Sequence, residues 1–487
     1  MYPDLKKVKD LAKKYNRIPV YKELNISSID PLMIMKAMEG EENFIFLESA
    51  RGKKSMARFS YLCFNPAAII RAEGGGVTVS VKGEISKIEK DIFSFIEEEI
   101  LKYRSPDIRG YGDFNGGYTG YVSYEAINCA GILRSSVKER EDLPLAELLL
   151  IDDFIVADNL TGKYFIASAV YTEKGKIEDQ ILLLNDHFNK LEEYIVGFIN
   201  NQKIPYLPSR PADVEMFYRE SDEDFMRKIV SIKDYIISGE IIQAVLSRKM
   251  YIKNKVSPFR FYQKLRQVNP SPYMYFLKFG KNHIAGCSPE THIKITKGKA
   301  FLKPIAGTAL IPSDLLEKKM VRRELLKDPK ERAEHLMLVD LARNDLSRIA
   351  KRGSVTVKKF MKVEDYSHVM HIVSNVHALL PDNENVVRAF KNTFPAGTVS
   401  GAPKVRAIEL INELEPDVRG AYAGTVGYFG FNNNCDTCIT IRTGYFNEGS
   451  AYIQAGAGIV YDSVPEKEVA EINNKLKALT GSMGYAV

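Results

Sequence analysis

Between residues 40 and 170 short apolar runs alternate with turn signals: "ENFIFLESA", "RFSYLCF", "GGVTVSV", "GGYTGYVSY", "FIVADN" and "YFIASAV". Runs this short, rich in β-branched and aromatic residues, predict a sheet-rich region. The apolar spacing then widens to a helical period in "IEDQILLLNDHFNKLEEYIVGFINN". Prolines crowd "QKIPYLPSRPADVE", which reads as a linker. From about residue 215 onward helices and strands alternate in larger blocks, with no repeat of fixed period and no low-complexity tract. The pattern predicts an α+β or α/β chain in two portions, residues 1–204 and 218–487, joined through 205–217. The opening "LKKVKDLAKKY" reads as an amphipathic helix with Leu5, Val8, Leu11, Ala12 and Tyr15 turned to the body.

The second portion holds most of the unusual polar residues, including four of the seven histidines between 335 and 377. "YSHVMHIVSNVHALL" alternates strictly, so a strand puts Val369, His371, Val373 and Asn375 on one face. His368, Met370, Ile372 and Ser374 take the other. His371, between two valines, reads either as a core histidine or as a general acid in a lined cavity. "DPKERAEHLMLVDLARNDL" reads as a helix with Leu336, Leu338, Val339 and Leu341 for apolar contacts and Glu331 and Glu334 in its first turns. The last helix, opening "PEKEVAE", repeats that spacing with Glu468 and Glu471. Like charges three apart repel and stabilise nothing alone. Facing each other, the two pairs would make a hard, oxygen-only site suited to Mg²⁺.

Composition narrows the classes. With 45% hydrophobic and 27% charged residues the chain has the balance of a soluble globular protein. No run of eighteen apolar residues predicts a transmembrane helix, and the N-terminus lacks a secretory signal. Five scattered cysteines argue against a disulfide scaffold and for a reducing, cytoplasmic setting. "CDTC" has metal or redox spacing, but no second pair completes a site and its surroundings read as a strand. A net charge of +6 over 487 residues is too dilute for a nucleic-acid footprint. The dense run "EKKMVRRELLKDPKER" is interleaved with acids and reads as a solvated helix.

Two small-residue segments read as loops that favour anions. "FPAGTVSGAPKVRAIEL" enters a helix but fails as a phosphate loop, because Lys404 follows Pro and Val405 replaces the Ser/Thr that would hold Mg²⁺. "QAGAGIV" offers backbone N–H groups around Gly456 and Gly458. In "CITIRT" a strand would put Arg442 on one face with Thr440 and Cys438, and an arginine there wants a carboxylate. A cation site, a carboxylate-binding arginine, anion-friendly backbone and a histidine suit a small dicarboxylate substrate.

"GEIIQAVLSR", "NPSPYMYF", "CSPE", "KPIAGT", "KERAEHLMLVDLARNDL", "YSHVMHIVS", "FPAGTVSGAPK", "IRT", "GAGIV" and "DSVPEKEVAEINNK" occur in the order found in chorismate-utilising enzymes. Within them the chain resembles anthranilate synthase component I over nearly its whole length, since "FLESA" and "ARFSYL" also fit. The resemblance implies an α/β sandwich of two intertwined subdomains, with large, mostly antiparallel sheets flanked by helices. Siblings that use water carry lysine where this chain has Gln243, and aminodeoxychorismate synthase carries lysine where it has Ala306. Ammonia is then the remaining nucleophile, with aminodeoxychorismate synthase component I as the alternative. A tryptophan-sensing or subunit-binding module without catalysis is the reading from another class.

The resemblance also implies roles. Mg²⁺ would grip the ring carboxylate of chorismate through Glu334 and Glu471, with Glu331 and Glu468 supporting and Lys475 balancing their charge. Arg442 and Tyr422 would hold the enolpyruvyl carboxylate, helped by the backbone at Gly456, Ala457 and Gly458. Gly307 and Thr308 would touch substrate, Thr398 would position it, and His371 would act as general acid. The product would be anthranilate, with release of pyruvate, at the first committed step of tryptophan biosynthesis. A separate glutamine amidotransferase subunit would supply ammonia, because no cysteine sits in a Gly-x-Cys-x-Gly elbow. Tryptophan would inhibit at Glu48, Ser49, Pro272, Tyr273, Met274 and Cys438. Ser347 and Ile472 depart from the family's usual Gly and Thr.

Overall fold

A computed structural model describes the chain except residues 28, 51–57, 134, 140–143, 205–206, 208–212, 254–255, 367–368 and 487. Much of the expected linker, and His368, therefore lie outside the described residues. Two antiparallel sheets of twelve strands each organise the rest. In the first, Arg17–Ser27 stands at one edge and Met216–Tyr218 at the other; in the second, Ile305–Leu310 and Glu84–Ile88 are the edges. Both sheets interleave early and late sequence. Strand Asn43–Glu48 pairs with Tyr273–Phe279 in the first, and Gly117–Val122 with Thr425–Gly430 in the second.

Three apolar layers follow from strand alternation. Along Tyr273–Phe279, Met274 and Phe276 point to a helical layer built from Ile177–Asn201, Asp222–Ile237, Pro258–Val268 and Pro465–Met483. Tyr275, Leu277 and Phe279 point the other way and meet Tyr121, Leu149 and Tyr428 of the second sheet. Beyond the second sheet, helices Ile92–Leu101, Val386–Thr393 and Pro329–Ser347 close the third layer. Each fully buried aromatic or aliphatic side chain contributes on the order of 1.5–3 kcal/mol.

The N-terminal helix spans Leu5–Ala12, capped by Asp4, and buries Val8 while Leu5 stays exposed. The basic run forms two helices, Leu315–Lys327 and Pro329–Ser347, which break at Asp328; its carboxylate caps the second through Lys330 and Glu331. Leu336, expected to pack, is exposed, because the core face of that helix is drawn by His335, Leu338, Val339, Ala342 and Leu346. "CDTC" lies in strand Cys435–Ile439 with both thiols buried and free. Three apart on a strand, they face opposite layers and cannot share a metal. Among the described residues no helix is long and apolar enough to cross a membrane.

Candidate active site

The site is organised around one bulge. Ala306 pairs with Ile372 and Thr308 with His371, so Gly307 is an extra residue in its strand. Gly307 adopts φ +64°, a conformation that favours glycine, and this turns its carbonyl onto the histidine. His371 Nδ1 donates to Gly307 O at 2.9 Å, with the Thr308 hydroxyl 3.1 Å away. That bond fixes the tautomer with the proton on Nδ1 and leaves Nε2 as the basic ring nitrogen. Burial holds the His371 pKa below the usual histidine value; the Gly307 bond opposes this, and Arg442 and Lys303 add to it. The neutral ring is favoured.

The two carboxylate helices do face each other. Burial raises the Glu334 pKa first, and then Glu331 on its own helix and Glu471 on the last helix raise it further. Glu331 and Glu468 are raised in the same way, each feeling Glu471. Glu471 is exposed and pairs with Lys475 at 2.7 Å. Among the described residues no three His, Cys, Asp or Glu side chains converge tightly enough to hold an ion by themselves.

Arg442 reaches the cleft by a route the strand pattern did not give. Its strand ends at Ile439, and Thr443 opens the next strand in the other sheet. Arg442 sits on that crossing with φ +53°, so the expected face shared by Cys438, Thr440 and Arg442 does not form. Its carbonyl accepts from Cys287 N at 3.2 Å, which pins the crossing to the first sheet.

Gly456 and Gly458 lie within strand Ser450–Ile459 and not on a loop. Past Ile453 that strand pairs on one side only, with Gln243–Ile252, so the other edge stands open among the described pairings. A Cβ on Gly456 would fall 2.7 Å from the Tyr422 hydroxyl, and one on Gly458 would fall 2.5 Å from Gln243 Nε2. Lys475 Nζ donates to Gly456 O at 2.8 Å, which ties the last helix to this wall.

Glu290, in the "CSPE" motif, is a site residue that pattern reading passed over. Burial pushes its carboxyl up to about 7, against the lowering influence of Thr398, Arg442 and Lys475 around it. It therefore lies within electrostatic reach of the same groups expected to hold substrate. Thr398 belongs to the turn Gly397–Val399. That turn is anchored by Lys404, whose ammonium bonds Asp345 at 3.0 and 3.1 Å and Thr393 O at 3.0 Å, all buried. The segment is thus a clamp between helices and presents no phosphate cradle.

Away from the cleft, a cavity of about 520 Å³ lies between the sheets. Glu48, Ser49, Tyr273, Met274 and Cys438 line it, and Ser49 Oγ donates to Pro272 O at 3.3 Å. Glu48 contributes its backbone only, because its carboxylate turns to Tyr262 and Arg266 in the helical layer. Met274 turns with it. Arg58, Lys294 and Asp436 add charged groups that no spacing in the sequence suggested.

A family profile described as chorismate binding enzyme matches residues 42–481. The chain belongs to the chorismate-binding enzymes. Anthranilate synthase component 1 of Acetivibrio thermocellus is 38% identical over 483 residues, covering 98% of this chain and 97% of the relative. That of Aquifex aeolicus is 40% identical over 493 residues, covering 99% and 98%. The crystal structure of anthranilate synthase component I from Streptococcus pneumoniae superposes with a TM-score of 0.73 at 34% identity, covering 87% of this chain and 92% of that one. The menaquinone-specific isochorismate synthase from Escherichia coli shares the fold, with a TM-score of 0.70 at 17% identity. The expected α+β fold, with two large antiparallel sheets flanked by helices, is the observed one.

Proposed function

We propose that this chain is the chorismate-aminating component of an anthranilate synthase, forming anthranilate and pyruvate from chorismate and ammonia. The supporting observation is the convergence of His371, Glu290, Arg442, Thr398 and Lys475 beside two facing carboxylate helices. Gln243 and Ala306 leave no lysine at the two positions where siblings carry one.

The carboxylates suit Mg²⁺. They are all-oxygen donors, they raise one another's pKa, and a divalent cation would relieve that strain. Glu334 and Glu471 would hold it, with Glu331 and Glu468 behind, and when bound it supplies a positive charge for the ring carboxylate.

The chain's own residues account for the proton traffic. Arg442 and the Tyr422 hydroxyl bind the enolpyruvyl carboxylate against the Gly456–Gly458 wall. Ammonia bonds to ring carbon 2 as the ring hydroxyl leaves, and Glu290, with a carboxyl near 7, gives that oxygen its proton so that it departs as water. The new C–NH3⁺ group gives up a proton that restores Glu290. Neutral His371 then takes the proton from carbon 2 through Nε2 as the enolpyruvyl group departs, which yields pyruvate after protonation and the aromatic ring. Ammonia comes from glutamine through a partner amidotransferase subunit. The cavity between the sheets is the tryptophan site, and its ligand would report to the cleft through the strands of both sheets. The chain works in the cytoplasm, where chorismate and tryptophan are handled. Product analysis after incubation with chorismate, ammonium and Mg²⁺ tests the reading: aminodeoxychorismate in place of anthranilate would move the chain to the sibling activity.

A further inference from the structure

Lys303 opens the motif "KPIAGT" and has no part in the proton traffic above. It sits between strands Lys299–Leu302 and Ile305–Leu310, with its side chain only 11% exposed. It lines a small pocket together with Glu290 and Thr398. Its ammonium donates to Glu364 Oε2 at 2.6 Å and to the Tyr366 hydroxyl at 3.2 Å. Burial works against that charge, but Tyr366 and Glu364 more than offset it, so the Lys303 pKa is raised. The group stays cationic, and the bond it gives the phenol is charge-assisted.

These contacts converge on His371. Glu364 pairs with His371 across the two strands, and Tyr366, two residues on, donates its N–H to Val369 O at 2.8 Å. The Tyr366 ring meets the imidazole in an edge contact, with centroids 5.1 Å apart and planes at 71°. Gly307 O and the Thr308 hydroxyl both hold His371 at Nδ1. A ring held at one atom can still swing about that bond, and the Tyr366 ring stands in the way of the swing. Tyr366 itself is only partly buried at the end of its strand, so packing alone does not fix its rotamer. The bond from Lys303 does.

We propose that Lys303 and Tyr366 are positioning residues for His371: the ammonium anchors the phenol, and the phenol ring holds the imidazole at the angle from which it takes the proton. The kinetic consequence rests on the amination reading; the brace itself does not. The first test is steady-state kinetics of the full chain at saturating ammonium and Mg²⁺. Tyr366→Phe, which removes only the hydroxyl, and Lys303→Met should each lower kcat roughly threefold to tenfold, the worth of the hydrogen bond they share. The chorismate KM should stay within about twofold, as expected where only the reacting geometry is disturbed. The double variant should be no slower than the slower single, because both changes remove one contact. The second test needs no turnover. In chain labelled at its seven histidines, the ring C–H signal of His371 is assigned by its loss in His371→Gln and followed by NMR. Tyr366→Phe keeps the aromatic ring, so a displaced His371 signal in that variant reports that the ring, once untied, has moved. Lys303→Met should displace the signal too. Unchanged kcat in both single variants, losses that multiply in the double, a chorismate KM raised as far as kcat falls, or a His371 signal unmoved in Tyr366→Phe overturns the brace. Wild type that makes no anthranilate would overturn the amination reading alone, and the His371 signal would then decide the brace.

Discussion

Gly307 lies against Glu331: a Cβ on Gly307 would stand 3.0 Å from Glu331 Oε2 and 3.2 Å from Ile372, so either neighbour would have to give by a few tenths of an ångström. The same glycine supplies the carbonyl that orients His371. One bulge therefore sets both the carboxylate helix and the histidine. Gly307→Ala forces a left-handed conformation costing about 1–2 kcal/mol and displaces both groups. Turnover should fall by roughly tenfold or more with the far-ultraviolet circular dichroism unchanged. Full activity would mean that the bulge does not place the site.

Glu290 gives the pH profile its alkaline limb. Its carboxyl is raised to about 7, so it is protonated below that value and ionised above it. With rates expressed per free ammonia, kcat should decline as pH rises through about 7. Glu290→Gln should lower kcat by roughly 10²-fold or more and remove that limb. A profile unaltered by the substitution would take the proton-donor role from Glu290.

Glu471 should govern the Mg²⁺ requirement. Glu471→Ala ought to raise the Mg²⁺ concentration for half-maximal activity about tenfold or abolish turnover, measured by titration from an EDTA-treated sample. Normal Mg²⁺ dependence would remove it from the ligand set.

The buried pair Lys404–Asp345 holds the Thr398 turn in place. Lys404→Met strands a buried carboxylate and should cost about 3–5 kcal/mol, read from urea unfolding. Adding Asp345→Leu should recover most of that loss, and no recovery would point to packing rather than charge.

Filling the inter-sheet cavity should uncouple regulation from catalysis. Ser49→Phe projects into a space of about 520 Å³ far from the carboxylate helices. Tryptophan inhibition should weaken at least tenfold while kcat holds, as measured from inhibitor titrations. Equal loss of both would make Ser49 a structural residue.

The parts legible in the sequence are those whose geometry is local. The strand carrying His371 follows from a two-residue period, and the two carboxylate pairs follow from a helical one. Ten motifs in family order supplied the rest of the site. Arg442 defeated the period because the chain changes sheets at Ile439, and a crossing is set by tertiary packing. Glu290 stood inside the "CSPE" motif, but no period or charge pairing marked it as a site residue, because its raised pKa comes from burial, which only the folded chain creates. Gly456 and Gly458 looked like a loop because glycines weaken a strand signal, yet here they keep the wall flat against Tyr422 and Gln243.

The most direct test is anthranilate fluorescence from the isolated chain with chorismate, an ammonium salt at mildly alkaline pH and Mg²⁺, beside a sample containing EDTA. Fluorescence that requires both ammonium and Mg²⁺, with pyruvate formed in equal amount, is the predicted result. Chorismate consumed without anthranilate, or anthranilate formed equally well in EDTA, would contradict it.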